Sequence, residues 1–231
     1  MSRALLLVLI LIAYLIGSIP FGLIVGLWRG VDPRKAGSGN IGATNVGRLL
    51  GGRFFALVFT LDLLKGLLPT ALAAALLWGK AHTAMDFVLW LLVGFAAIAG
   101  HMFSVFLKFQ GGKGVATSAG VLLGVFPYFT LPGALSILTW VALFKAKRYV
   151  SLASIFGTGL FPLFYVIVGL LMGWPVFGAQ LPLLVFATVM AILIVYKHRT
   201  NIVRLRAGTE NRFVKKTLKP QMNADESGSR R

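Results

Sequence analysis

Three clusters of hydrogen-bond donors interrupt an otherwise apolar chain. The first, Gly37-Ser38-Gly39-Asn40-Ile41-Gly42-Ala43-Thr44-Asn45, is followed closely by Arg48. Its glycines let successive backbone N–H groups turn toward one point, the geometry of an anion nest. Ser38, Asn40, Thr44 and Asn45 add neutral donors, and Arg48 adds a planar fork suited to phosphate. The second cluster, Gly111-Gly112-Lys113-Gly114, holds a lysine between glycines at the start of an apolar helix, where anions bind well. It is not a nucleotide P-loop, because Gly114 stands where serine or threonine is required and no strand precedes it. The third cluster runs from Lys197 and His198 through Asn201 to Arg206. His198 is its titrating group, a candidate base or hydrogen-bond partner. Blander roles compete with these: a glycine-rich helix connection for the first, and a lysine snorkelling to the interface for the second.

The other ionisable residues promise less. His82 falls in a short outer connection, and His101 sits one turn before the end of an apolar segment, where packing and function are equally open. Asp62 and Lys65 share one apolar stretch at i, i+3 and are expected to form a structural ion pair. The six acids, Asp32, Asp62, Asp86, Glu210, Asp225 and Glu226, are scattered. A two-metal or Mg²⁺ site needs several convergent carboxylates, so no metal and no cofactor is expected. With no cysteine, thiolate chemistry and disulfides are excluded.

These clusters must be held by membrane helices. The 231 residues are 58% hydrophobic and only 13% charged, with a mean hydropathy of +0.85. Segments of roughly 20 apolar residues suffice to cross a bilayer. Apolar runs at 4–28, 54–78, 86–107, 115–126, 129–144, 152–172 and 180–196 predict an all-α, polytopic integral membrane protein of about seven transmembrane helices. Run 115–126 is the weakest, being short and carrying Gly120 and Gly124. The first run is too long for a signal-peptide core and lacks a basic cluster before it, so it reads as a retained helix. Of 23 lysines and arginines, all but Arg3, Lys65 and Lys80 fall in alternate connections and the C-terminal stretch. By the positive-inside rule that puts the N-terminus outside and the C-terminus in the cytoplasm. It also accounts for the net charge of +17 without nucleic acid, for which no motif interleaves basic and aromatic residues. Residues 1–213 form a single membrane-embedded domain; 214–231 is expected to be a disordered, basic and polar tail.

The physical reading yields a site for a small phosphorylated substrate at the cytoplasmic membrane face. Its setting at the bilayer surface suggests that the second substrate or the product is a lipid. Gly37–Arg48 further resembles the first motif of the PlsY-type glycerol-3-phosphate acyltransferases of bacteria. Gly100–Thr117 resembles the second, and Lys197–Phe213 the third. Gly17–Gly22 and Arg148–Ser154 are similar to further family segments. Ser104 departs from the usual proline and Gln110 from a common lysine, both outside the glycine-lysine core.

The resemblance implies transfer of a fatty acyl group from acyl phosphate to the sn-1 hydroxyl of glycerol 3-phosphate. The products would be lysophosphatidic acid and phosphate, the first step of phospholipid synthesis in the bacterial inner membrane. No cofactor and no obligate protein partner is implied. Carried over by position, Ser38, Asn40, Arg48 and Lys113 would hold phosphate groups, with Thr44, Asn45, Gly112 and Gly114 beside them. Ser151, His198 and Asn201 would complete the pocket near the acyl carbonyl. Catalytic roles fall to His198, Ser151, Lys113 and Arg48, and the hydroxyl proton goes either to His198 or to a substrate phosphate. The His-x4-Asp chemistry of other acyltransferases is absent, because Phe87, Phe106 and Val203 stand where the aspartate would follow each histidine after four residues. A phosphate-ester transporter would also want a basic, glycine-lined pocket, but one near the midplane between repeats, and no internal repeat is evident.

Overall fold

The computed structural model describes residues 2–77 and 83–213, and these form eleven α-helices and one 3-10 turn. In chain order they are α1 (Ser2–Ser18), α2 (Phe21–Trp28), α3 (Ala43–Leu50), α4 (Gly52–Leu77), α5 (Ala84–Met102), α6 (Val115–Gly124), α7 (Thr130–Lys147), α8 (Val150–Gly159), α9 (Phe161–Leu171), α10 (Leu181–Lys197) and α11 (Arg199–Arg206); the 3-10 turn, Val105–Leu107, follows α5. Within the described residues each apolar run expected from the sequence is mainly helical; α5 gives way to the 3-10 turn after Met102, and two further runs are broken. Pro20 removes a backbone donor between α1 and α2, and Leu160 joins α8 to α9 just before Pro162. Among the described residues, four segments are long and apolar enough to cross a membrane: Arg3–Trp28, Gly52–Leu77, Ala84–Leu107 and Val150–Leu171. A fifth arises if α10 and α11, bent by 56°, count as one span. Helix α6 has only 10 residues. His82, Lys80 and the expected tail 214–231 lie outside the described residues.

The bundle is assembled as membrane helices are, through small residues that let backbones approach. A Cβ on Gly17 of α1 would lie 2.2 Å from the Ala97 carbonyl of α5. One on Gly120 of α6 would lie 2.0 Å from the Leu63 carbonyl of α4. Thr83 and Asp86 form a reciprocal capping box at the start of α5, and Arg3 of α1 bonds the same Asp86 carboxylate at 3.1 Å. At the other end of α5, the buried Ser104 hydroxyl donates to the Ser18 carbonyl at 2.6 Å. Large apolar side chains face outward: Leu11, Leu138 and Ile192 are 63%, 64% and 63% exposed. In water such a surface would drive association; in lipid it is the ordinary exterior.

The expected Asp62–Lys65 pair is present, with 2.9 Å between Nζ and Oδ1 and both side chains buried. His101 joins it, its Nδ1 3.6 Å from the same oxygen.

Candidate active site

The first glycine-rich segment is shaped from within. Gly37 and Gly39 adopt φ of +64° and +71°, a region glycine enters without steric cost. The turn closes on Asn45, which is buried. Its Nδ2 donates to the carbonyls of Pro33 and Ala36, each at 3.0 Å, and its Oδ1 accepts the Ser38 N–H at 2.8 Å. Asn45 therefore organises the loop, and its amide is not available as the free substrate donor expected from the sequence. Asn40 makes an Asx turn, Oδ1 accepting the Gly42 N–H at 2.8 Å. Arg48 lies in the last turn of α3. One of its terminal nitrogens donates to the Asn211 carbonyl at 3.1 Å, while its buried Nε has no hydrogen-bond partner among the described residues, a donor left over for a ligand.

The second segment takes its shape from α5. The N–H groups of Gly111 and Gly112 donate to the carbonyls of Met102 and His101 at 3.2 and 3.0 Å. These are end carbonyls of a helix, which need partners from outside it. Gly114, at φ +85°, caps α6. Between them Lys113 donates to Asn201 Oδ1. Burial lowers the Lys113 pKa to about 8, with Glu210 opposing and Arg204 and Arg48 reinforcing the fall. The ammonium is the main form at neutral pH, with little margin.

The third segment turns the chain back over the other two. His198 stands at the bend after α10, with its Nδ1 2.8 Å from the Ile194 carbonyl. A carbonyl only accepts, so Nδ1 carries the proton and Nε2 keeps a lone pair. Burial, and then the charge of Lys113, push the His198 pKa down to about 4. The imidazole is neutral.

Glu210 is the residue the sequence did not single out. It is 7% exposed and accepts from Ser151 Oγ at 2.7 Å and Asn201 Nδ2 at 2.6 Å on one oxygen, and from Arg204 Nε at 2.9 Å on the other. Burial alone would raise its pKa, but the bonds from Arg204, Ser151 and Asn201 prevail and hold it ionised. Its one sequence signal was membership of the third motif. Two acids far apart in the chain, Asp62 and Glu210, thus line the same cavity.

That cavity, of about 520 Å³, gathers Ser38, Asn40, Thr44, Asn45, Arg48, Lys113, Gly114, Ser151, His198 and Asn201. Gly112 is not among its lining residues; a Cβ there would sit 2.1 Å from His101 Nε2, so its role is to pack against that ring. Away from the charged groups the wall becomes apolar, through Phe55, Leu122, Trp140, Phe161, Phe186 and Met190.

A cradle of cations and amides that opens directly onto a hydrocarbon-lined channel inside a helical bundle defines a membrane-embedded transferase, one able to hold a polar anion against an aliphatic chain. The chain belongs to the glycerol-3-phosphate acyltransferase family, whose model matches residues 7–208. It is similar to the glycerol-3-phosphate acyltransferase of Aquifex aeolicus, 46% identical over 205 residues that cover 89% of this chain and 97% of that one. It is also similar to that of Geobacter sulfurreducens, 45% identical over 208 residues that cover 90% and 97%. Among solved structures it resembles PlsY, an integral membrane glycerol 3-phosphate acyltransferase, in its glycerol 3-phosphate form, with TM-score 0.76, 42% identity and coverage of 90% and 96%. The lysophosphatidic acid form of PlsY gives TM-score 0.74, with coverage of 91% and 96%. The protein is thus an integral membrane acyltransferase of phospholipid synthesis.

Proposed function

We propose that this enzyme transfers a fatty acyl group from acyl phosphate to the sn-1 hydroxyl of glycerol 3-phosphate, giving lysophosphatidic acid and phosphate. The observation that carries this is the continuity of the cationic cradle with the apolar channel in one cavity. The acyl chain lies along Phe161, Phe186 and Met190, and the phosphate groups sit among Ser38, Arg48 and Lys113. The glycerol oxygen attacks the acyl carbon, the carbon–oxygen bond to phosphate breaks, and phosphate departs with both bonding electrons. Acyl phosphate is already activated, so no enzyme nucleophile is needed. Cations stabilise the leaving phosphate and the developing oxyanion, and the two substrates are held in register. His198 presents the Nε2 lone pair to the attacking hydroxyl. With a pKa near 4 it orients that proton rather than keeping it, and the departing phosphate is the better final acceptor. Ser151 and Asn201 are held by Glu210 beside the acyl carbonyl.

The decisive assay incubates purified protein with glycerol 3-phosphate and one of three donors: acyl phosphate, acyl-CoA or acyl-carrier protein. Lysophosphatidic acid should form with acyl phosphate alone. Turnover with either thioester and none with acyl phosphate would replace the donor assigned above.

The site faces the cytoplasm of a bacterial inner membrane, with seven crossings, an outer N-terminus and residues 1–213 as one domain. The alternating basic connections support this topology. Because the chain has no cysteine, single cysteines report sidedness cleanly. Positions 39 and 207 should label from the cytoplasm and position 178 from outside; cytoplasmic labelling of 178 would refute the seven-crossing arrangement.

A further inference from the structure

Asp62, Lys65 and His101 form a buried polar cluster that the acyl-transfer scheme leaves without a task. Asp62 and Lys65 are 4% and 2% exposed on successive turns of α4. Charges at such depth are costly, and an ion pair there adds little net stability over apolar residues of the same volume. What a buried pair does supply is fixed geometry, and here it ties together four parts of the chain. Lys65 Nζ also donates to the Ile19 carbonyl at 3.0 Å, where α1 gives way to α2. Asp62 Oδ1 faces His101 Nδ1 at 3.6 Å. On its other edge the His101 ring lies directly against Gly112, with no room for a Cβ between them. The carbonyls of His101 and Met102 receive the Gly112 and Gly111 N–H groups, and the Met102 carbonyl also receives Lys197 Nζ at 3.0 Å. The next residue in the chain is Lys113.

We propose that Asp62, Lys65 and His101 are positioning residues that set the height of the Gly111–Gly114 loop, and through it the Lys113 ammonium, so that affinity for glycerol 3-phosphate depends on them although Lys113 bears the phosphate. This rests on the assignment of glycerol 3-phosphate to the cradle. The path is short and contiguous: Asp62 fixes the imidazole, the imidazole supports Gly112, and Gly112 precedes the lysine. A loop backed by a rigid ring bound to a charged pair has one height; a loop backed by a freely rotating ring has several. Displacement of a substrate-holding group by about an ångström can cost up to a hundredfold in rate.

The test is calorimetric titration of glycerol 3-phosphate into purified protein without any acyl donor, together with thermal melting. Asp62→Asn leaves Lys65 uncompensated and should lower the melting temperature. Asp62→Asn/Lys65→Met removes both charges and should restore melting, yet bind glycerol 3-phosphate about tenfold more weakly than wild type. His101→Phe keeps ring volume beside Gly112 but loses the polar contact with Asp62; it should melt normally and show the same weakening. In turnover both variants should raise KM for glycerol 3-phosphate by about the same factor. Wild-type affinity in the double variant and in His101→Phe would make the cluster a purely structural device and overturn the proposal. Should the double variant not fold, wild-type affinity in His101→Phe alone overturns it. Wild-type protein that binds no glycerol 3-phosphate would fail the substrate assignment itself, a result distinct from any variant pattern.

Discussion

The two glycine-rich loops that face each other across the cavity are built on different plans. The first is held by residues inside its own stretch: Asn45 and Asn40 supply the bonds that close it, within a dozen residues along the chain. The second has no such internal brace. Its N–H groups rest on the end of α5, its Gly112 on the His101 ring, and its Lys113 on Asn201 from beyond α10. A self-braced loop keeps its shape wherever it is docked, whereas a borrowed one takes its shape from several distant helices. The second should therefore be the more sensitive to changes elsewhere in the protein, and the first to changes in its own sequence.

The sharpest contrast comes from one substitution in each loop. Lys113→Ala removes a charge-assisted contact and, with it, the partner of Asn201. Kinetics with acyl phosphate should show kcat/KM reduced about a hundredfold, the upper end for a bond of this kind at about 1.5–3 kcal/mol. Arg48→Lys keeps the charge but not the fork, and should cost about tenfold. Near-normal kinetics in both would mean that these side chains anchor helices at the interface and hold no phosphate.

A smaller effect separates the loops by pH. Lys113 must be protonated to hold phosphate, and its pKa lies near 8; the guanidinium of Arg48 stays charged at every accessible pH. As pH rises through about 8, the free enzyme loses the Lys113 charge, so kcat/KM for glycerol 3-phosphate should decline by up to about tenfold per unit. Below that pH the ammonium is fully present and the profile should flatten. In Lys113→Arg the decline should vanish, whatever the absolute rate. A decline that persists in Lys113→Arg would assign the titration to another group.

The same contrast explains what the sequence made legible. Donor types at fixed spacing announced the first loop, Arg48, Lys113 and His198, because each lies within a short, donor-rich run. Apolar runs announced the helical stretches and the shortness of α6, whereas the breaks at Pro20 and Leu160 do not interrupt the apolar pattern and show only in the fold. Asn45 was legible as a polar loop residue but not as a brace, because hydrogen-bond direction is not written in residue type. Glu210 was hidden for a related reason. A carboxylate near a basic run ordinarily reads as a solvated charge, and only the fold brings Ser151 from fifty-nine positions away to meet it. His101 remained ambiguous for want of the same long-range information.

The short helix α6 has a consequence for where the chemistry happens. It runs beside α4 from the level of Gly66, and its first residues follow Lys113 directly. From Gly52 to Asp62 along α4 is roughly 15 Å at 1.5 Å per residue, a large part of the half-thickness of a bilayer. The cavity that begins at the cradle thus runs on along α4 as far as Asp62, deeper than a platform laid on the helix ends would reach. In the proposed reaction, a dissolved phosphate ester enters that cavity to meet an acyl chain held along its apolar wall. The product of that scheme is an amphiphile, and hydration of its phosphate would favour its leaving the apolar cavity for the headgroup region.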